Sequence, residues 1–138
     1  MLSFSVGIEI CDGRLLYCPD CDPTWQLADG LTHGGYVLGS GIHKNLNVDL
    51  TKIGNFKISI GEKNKTPRVV LQNTREHPFK EPSAIVLWLV NELISQQDQI
   101  NAGDIITTGA FSDSTPIHVS EIVKVEFTNI GEAILVVN

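Results

Sequence analysis

Apolar and polar residues alternate from Ser3 to Ile10. Phe4, Val6, Ile8 and Ile10 fall on one side, Ser3, Ser5, Gly7 and Glu9 on the other. A period of two is that of a strand, whose successive side chains take opposite faces. The spacing therefore predicts a strand with Glu9 on a face of otherwise small residues, which leaves room beside the carboxylate for a ligand. Asp12-Gly13 is a hairpin-type turn signal, with Leu15–Tyr17 as its return strand. Cys18 to Pro23 reads as loop, and Pro23 to Asp29 as a short helix with Asp22 as N-cap and proline at its first position. Gly34 to Gly39 reads as a short strand bounded by glycines, and Gly39 to Asp49 as loop. Phe56–Ile60 and Arg68–Gln72 flank the polar turn Gly61–Lys65 and predict a β-hairpin, followed by the irregular Asn73–Glu81.

Pro82 opens the one long helix, which runs to Gln96 or Gln97. Ala84–Val90 is apolar all round, which predicts burial on more than one side, and Gly103 is the expected stop or turn residue after it. Ile105–Thr108, Ile117–Phe127 and Glu132–Val137 predict strands, the last two joined by the turn Asn129-Ile130-Gly131. Strands, one long helix and further strands make a β-rich α+β domain, with no internal repeat.

Composition narrows the class. The 138 residues suit one domain over 1–138, and 42% hydrophobic residues are enough for a core. The net charge is −6, and lysine and arginine are scattered rather than clustered, which argues against nucleic acid as a partner. The longest apolar run, Ala84–Val90, is far too short to cross a bilayer. The opening MLSFSVGIEI lacks a basic region and a cleavage site, so a cytoplasmic protein without membrane contact is expected. Cys18-Pro-Asp-Cys21, with Cys11 and His33, allows a zinc reading. No second C-x-x-C supports it, and three reduced thiols in or near a loop is the simpler account. His33, His43, His77 and His118 are scattered and read as surface or structural, with His33 bordering the expected pocket.

Three segments together are distinctive: Gly7-Ile8-Glu9-Ile10-Cys11-Asp12-Gly13-Arg14, then Ala28-Asp29-Gly30-Leu31-Thr32-His33-Gly34-Gly35-Tyr36-Val37-Leu38-Gly39, then Ala102-Gly103-Asp104-Ile105-Ile106-Thr107-Thr108-Gly109-Ala110. Their order and spacing resemble the 2-keto-4-pentenoate hydratase family, a branch of the fumarylacetoacetate hydrolase superfamily that also contains 4-oxalocrotonate decarboxylases. Trp88-Leu89 stands where that family has its own Trp-Leu helix. The resemblance covers essentially the whole chain and about the C-terminal half of a typical member.

What the resemblance implies is a mixed β-sheet roll or barrel of the fumarylacetoacetate hydrolase C-terminal type, with one long helix. It implies Mg²⁺ or Mn²⁺ on three carboxylates, of which Glu9 is one and an upstream Glu-x-Glu pair supplies two. A hard cation prefers oxygen ligands and stabilises the enolate of a 2-oxo acid substrate. Thr32, Thr108 and Gly109 map to the substrate site. Arg14 maps beside the ligand strand, where it either grips a substrate carboxylate or pairs with Asp12 or a neighbour. The chain departs from the family at the Glu-x-Glu pair and at an upstream lysine and aspartate, none of which has a counterpart. It also has Ser112-Asp113 where a glycine and a proline are usual, and Ala84 in place of an asparagine. Two functions follow. One is a hydratase-like domain, incomplete or inactive alone, whose Mg²⁺ or Mn²⁺ binds once the site is completed. The other is a non-catalytic interaction protein derived from that fold. In either case a homo-oligomer or a partner is expected to cover the exposed half-fold.

Overall fold

The computed structural model describes residues 3–15, 22–42, 55–74 and 82–138. The element order is β1 (Phe4–Cys11), α1 (Pro23–Ala28), β2 (His33–Ile42), β3 (Asn55–Glu62), β4 (Arg68–Thr74), α2 (Pro82–Ser95), β5 (Glu121–Phe127) and β6 (Gly131–Val136). β1 and β2 form a two-stranded sheet, and β4-β3-β5-β6 a four-stranded one. Every pairing among the described residues is antiparallel. The domain is thus β-rich with few helices, and the expected mixed sheet is corrected to two antiparallel ones.

The two sheets meet where β1 and β2 lie against β6 and β5. Val6 enters the core from β1, Phe56, Ile58 and Ile60 from β3, Val123 and Val125 from β5, and Ala133 from β6. Phe56 and Phe127 stack at 5.2 Å between centroids, and Phe111 meets both edge-on. β2 reaches β6 at Gly39. A Cβ there would stand 2.6 Å from the Ala133 Cβ and would overlap the Glu132 carbonyl oxygen. Glycine at this position lets the two backbones approach. Gly39→Ala is accordingly expected to cost about 2 kcal/mol through overpacking, read as a lower denaturant midpoint. An unchanged midpoint would show that the sheets can separate freely.

On the outer face of the four-stranded sheet, charges alternate across strands. The Lys57 ammonium lies 2.9 Å from one Glu126 oxygen, and Lys124 lies 2.9 Å from the other and 2.7 Å from Glu132. Hydrogen bonds from Lys57 and then Lys124 hold the Glu126 carboxyl below its ordinary range. Those to Glu132 and then Glu126 raise the Lys124 ammonium above its own. The stabilisation from Glu126 is present above the ordinary carboxylate pKa and is lost as pH falls through the depressed folded value. That from Lys124 is present below the ordinary lysine pKa and is lost as pH rises through the raised folded value. Melting scans should therefore show a shallow plateau bounded on both sides, with Glu126→Gln weakening the acid limb. Both side chains are only partly covered and reach solvent, so the effect is small and fades with salt.

Several sequence expectations are corrected. Among the described residues the partner of β1 is β2. Leu15 lies in a bend, and residues 16–17 lie outside the described residues, as do Cys18, Cys21, His43 and His77. β2 runs on through Ser40 to Ile42, where loop was expected. Residues 105–108 are irregular despite two isoleucines and two threonines, because strand propensity needs a partner strand to be realised. β5 begins only at Glu121, four residues later than expected. α2 ends at Ser95, close to the expected Gln96 or Gln97, and Gln97 at φ 59° closes a Schellman-type end, in which Asp98 N–H donates to the Leu93 carbonyl and Gln97 N–H to that of Ile94, while Gly103 at φ 102° lies in a turn. The burial of α2 on more than one side is corrected, since Leu87, Trp88 and Ile94 are each more than 60% exposed.

Candidate functional site

The site is built by α1 and the β1–β2 pair. Asp22 accepts the Thr24 N–H at 2.8 Å, and Pro23 opens α1. This hydrogen bond holds the Asp22 carboxyl below its ordinary value. Six residues later the helix closes in a second Schellman arrangement, with Leu31 N–H donating to Gln26 and Gly30 N–H to Leu27. Gly30 supplies the left-handed φ of 70°. Leu31 and Thr32 then continue at φ 55° and 64°, a conformation that costs a residue with a Cβ about 1–2 kcal/mol. Leu31 is exposed, so Leu31→Asn, which tolerates this region, is expected to raise stability by about 1 kcal/mol. Equal or lower stability on denaturant unfolding would mean that the left-handed turn is not strained.

This turn aims the end of α1 at the end of β1. Asp12 N–H donates to the Thr32 carbonyl at 2.8 Å. Asp29 is buried, and its Oδ1 accepts the Arg14 N–H at 2.9 Å. The Arg14 guanidinium donates one arm to the Asp29 carbonyl at 2.7 Å and the other to the His33 carbonyl at 3.0 Å. Both arms thus clasp backbone, and Arg14 joins β1, the end of α1 and the start of β2. Asp29 Oδ2 has no hydrogen-bond partner among the described residues.

Glu9 projects from the outer face of β1. Its Oε1 lies 2.9 Å from the His33 Nδ1, with the two side chains 53% and 49% exposed. Tyr36 is the strand partner of Glu9, and its ring lies over Gly7, where a Cβ would overlap the phenol. Burial and then the Glu9 charge raise the Tyr36 hydroxyl above its ordinary value. The space expected beside Glu9 is therefore taken by an aromatic ring. A pattern of small residues on one strand does not disclose what the neighbouring strand leans across it. An open concavity of about 690 Å³ lies elsewhere, lined by Ser40, Ile42 and the β5–β6 turn.

Strand pairing brings Glu9 and the Thr32–His33 segment together, and Arg14 secures them. Thr32 itself is exposed, and its hydroxyl donates to the Leu31 carbonyl at 2.6 Å. Thr108 and Gly109 lie in the irregular stretch 104–110 and are not brought to that face by any strand pairing. The sequence reading did not single out Asp29 as the partner of Arg14 or His33 as the partner of Glu9. The Asp29-Gly30 helix stop was the available signal for the first. The second needed the β1–β2 register.

The metal implied by the resemblance tests the donor set. Among the described residues no three of His, Cys, Asp and Glu converge as ligands. Beside the Glu9 carboxylate stands an imidazole rather than further oxygens. This set does not fit a hard cation that takes six oxygens.

No family model matches the chain. It is similar to 2-oxo-hept-4-ene-1,7-dioate hydratase of Escherichia coli, 27% identical over 133 residues, with 91% of the chain and 46% of that protein covered. The chain spans about half the length of this relative. A β-rich α+β domain carrying a carboxylate–imidazole pair is the class that the fold and site define, and a hydratase is its distant relative. No helix among the described residues is long and apolar enough to cross a membrane.

Proposed function

We propose that the chain is a hydratase-like domain, related to enzymes that add water across the double bond of unsaturated 2-oxo acids, and of the fumarylacetoacetate hydrolase C-terminal type. The supporting observation is the clasp at Arg14. It joins the first two motif segments at Asp29 and His33, next to the Glu9–His33 contact, in a chain similar over 91% of its length to a hydratase. In this reading Glu9 is the acidic member of the site, and Thr32, Thr108 and Gly109 belong to its substrate side. Arg14 positions the others, because its guanidinium already grips two carbonyls. Mg²⁺ or Mn²⁺ belongs to the reading only as the cofactor of a site completed by further carboxylates. The exposed Leu87, Trp88 and Ile94 of α2 are the surface that a second copy or another polypeptide would cover.

The test is the hydration of 2-oxopent-4-enoate, supplied as its conjugated dienol tautomer 2-hydroxypenta-2,4-dienoate, followed by loss of the dienol absorbance with Mg²⁺ or Mn²⁺ present. Turnover abolished by Glu9→Gln supports the reading. No turnover by the chain, whether alone or together with a polypeptide carrying the Glu-x-Glu segment, overturns it.

A further inference from the structure

We infer that the solvent-facing side of α2 is a self-association seam, on which a second copy of this chain docks its own α2. The inference commits the uncovered helix face to one occupant and stands independently of the hydratase-like reading.

Three observations carry it. The first is pattern. Ile85, Val86, Leu89, Val90 and Leu93 are partly buried and form one stripe at helical spacing. Between them, Ala84, Leu87, Trp88, Asn91 and Ile94 form a second stripe at spacings of three and four, and all five are exposed. Leu87 is 63%, Trp88 64% and Ile94 65% exposed. A solvent-facing helix side is ordinarily polar or charged. Here Ala84, Leu87, Asn91 and Ile94 instead repeat as the a and d positions of a packed helix pair do. Among the described elements no strand lies in extensive contact with α2. The second is charge. Glu92 is the one charged residue on α2, and it lies on the partly buried side. The exposed stripe offers nothing for a basic or acidic partner to pair with. It also holds nothing to repel an identical helix, although the chain as a whole carries −6. The third is fit. A two-fold axis level with residue 89 sets the two helices antiparallel, so that each N-terminal end lies beside the other's C-terminal end. The small Ala84 then faces the larger Ile94 of the second copy, and Leu87 faces its Asn91. Such a contact uses the same face twice and closes at two copies. At these exposures Leu87, Trp88 and Ile94 leave about 400 Å² of each copy in water, and the pair removes about 900 Å² in total with Ala84 and Asn91 included. That is below the size of a permanent interface, so the dimer is a weak, reversible one.

The test is sedimentation equilibrium of the full chain from about 1 to 200 µM, with reductant present to keep its three cysteines from cross-linking. The expected result is a monomer at the low end and a dimer at the high end, with a midpoint on the order of 10 µM. In Trp25→Phe protein Trp88 is the one remaining tryptophan, and its emission should move to shorter wavelength over the same range. Leu87→Lys and Asn91→Lys each place like charges in the seam and should raise the dissociation constant about tenfold or more. Both positions are exposed, and Asn91→Lys serves if Leu87→Lys fails to keep the wild-type circular dichroism. Leu27→Lys, at an exposed apolar position on α1, should leave the constant within about twofold. A chain monomeric up to about 200 µM, assemblies larger than a dimer, or a dimer broken by Leu27→Lys and not by Asn91→Lys overturns the inference. Turnover of the dienol by a chain that stays monomeric would overturn it while supporting the hydratase reading. An α2-dependent dimer without turnover would do the reverse.

Discussion

Ile60→Ala is expected to destabilise the domain by about 3–4 kcal/mol, the range for emptying a buried isoleucine site that cannot collapse. Ile60 is 0% exposed and lies on β3, which is paired on both sides, by β4 and β5. Its neighbours at Ile58, Val123 and Val125 sit on hydrogen-bonded strands. They cannot move into the gap without breaking the ladder, so the cavity persists. Ile60→Val removes one methylene and should cost about 1 kcal/mol. The measurement is urea unfolding of both variants, where the midpoint falls and the slope is unchanged. A loss under about 1 kcal/mol for the alanine variant would mean that this position is not in a close-packed interior. A typical domain has only about 5–15 kcal/mol in total, so this one change removes a large share of the stability.

Asp29→Ala is expected to cost about 2–3 kcal/mol, the worth of a charge-assisted hydrogen bond to a buried carboxylate. The side chain of Asp29 is 1% exposed, and its Oδ1 accepts the Arg14 amide. The Arg14–Asp29 ion pair at 3.8 Å adds little, because the arginine is exposed and screened. Asp29→Asn keeps an oxygen acceptor for that amide and should lose less than the alanine variant. The clasp also sets the His33 backbone, so the consequence reaches the site. In Asp29→Ala the Glu9–His33 contact should loosen, seen as larger amide chemical-shift changes at 9 and 33 than in Asp29→Asn. An alanine variant within about 0.5 kcal/mol of the parent, with residues 9 and 33 undisturbed, would show that the clasp is incidental.

Much of the local structure was legible in the chain. The period-two run at Phe4–Ile10 and the segment Phe56–Ile60 before a polar turn became β1 and β3. Pro23 and Pro82 marked both helix starts, because proline at a first helical position gives up no hydrogen bond. Asn129 took the left-handed turn before β6. The failures share a cause. Residues 105–108 and 117–120 have strand-forming side chains, yet a strand also needs an edge to pair with, and pairing is non-local. Likewise α2 is apolar enough to be buried, but burial depends on what folds over it.

The site divides along the same line. Residue order alone placed a carboxylate at position 9 on the strand face opposite the apolar one and put an arginine five residues beyond it. Side-chain direction in a strand follows from neighbouring residues only, so this could be read without coordinates. Which groups those two would meet was decided by the antiparallel register of β1 and β2 and by the left-handed turn after α1. These brought His33 to Glu9 and Asp29 to Arg14 across 24 and 15 residues of chain. Contacts at such separations are set by the closing of the fold, and no local pattern encodes them.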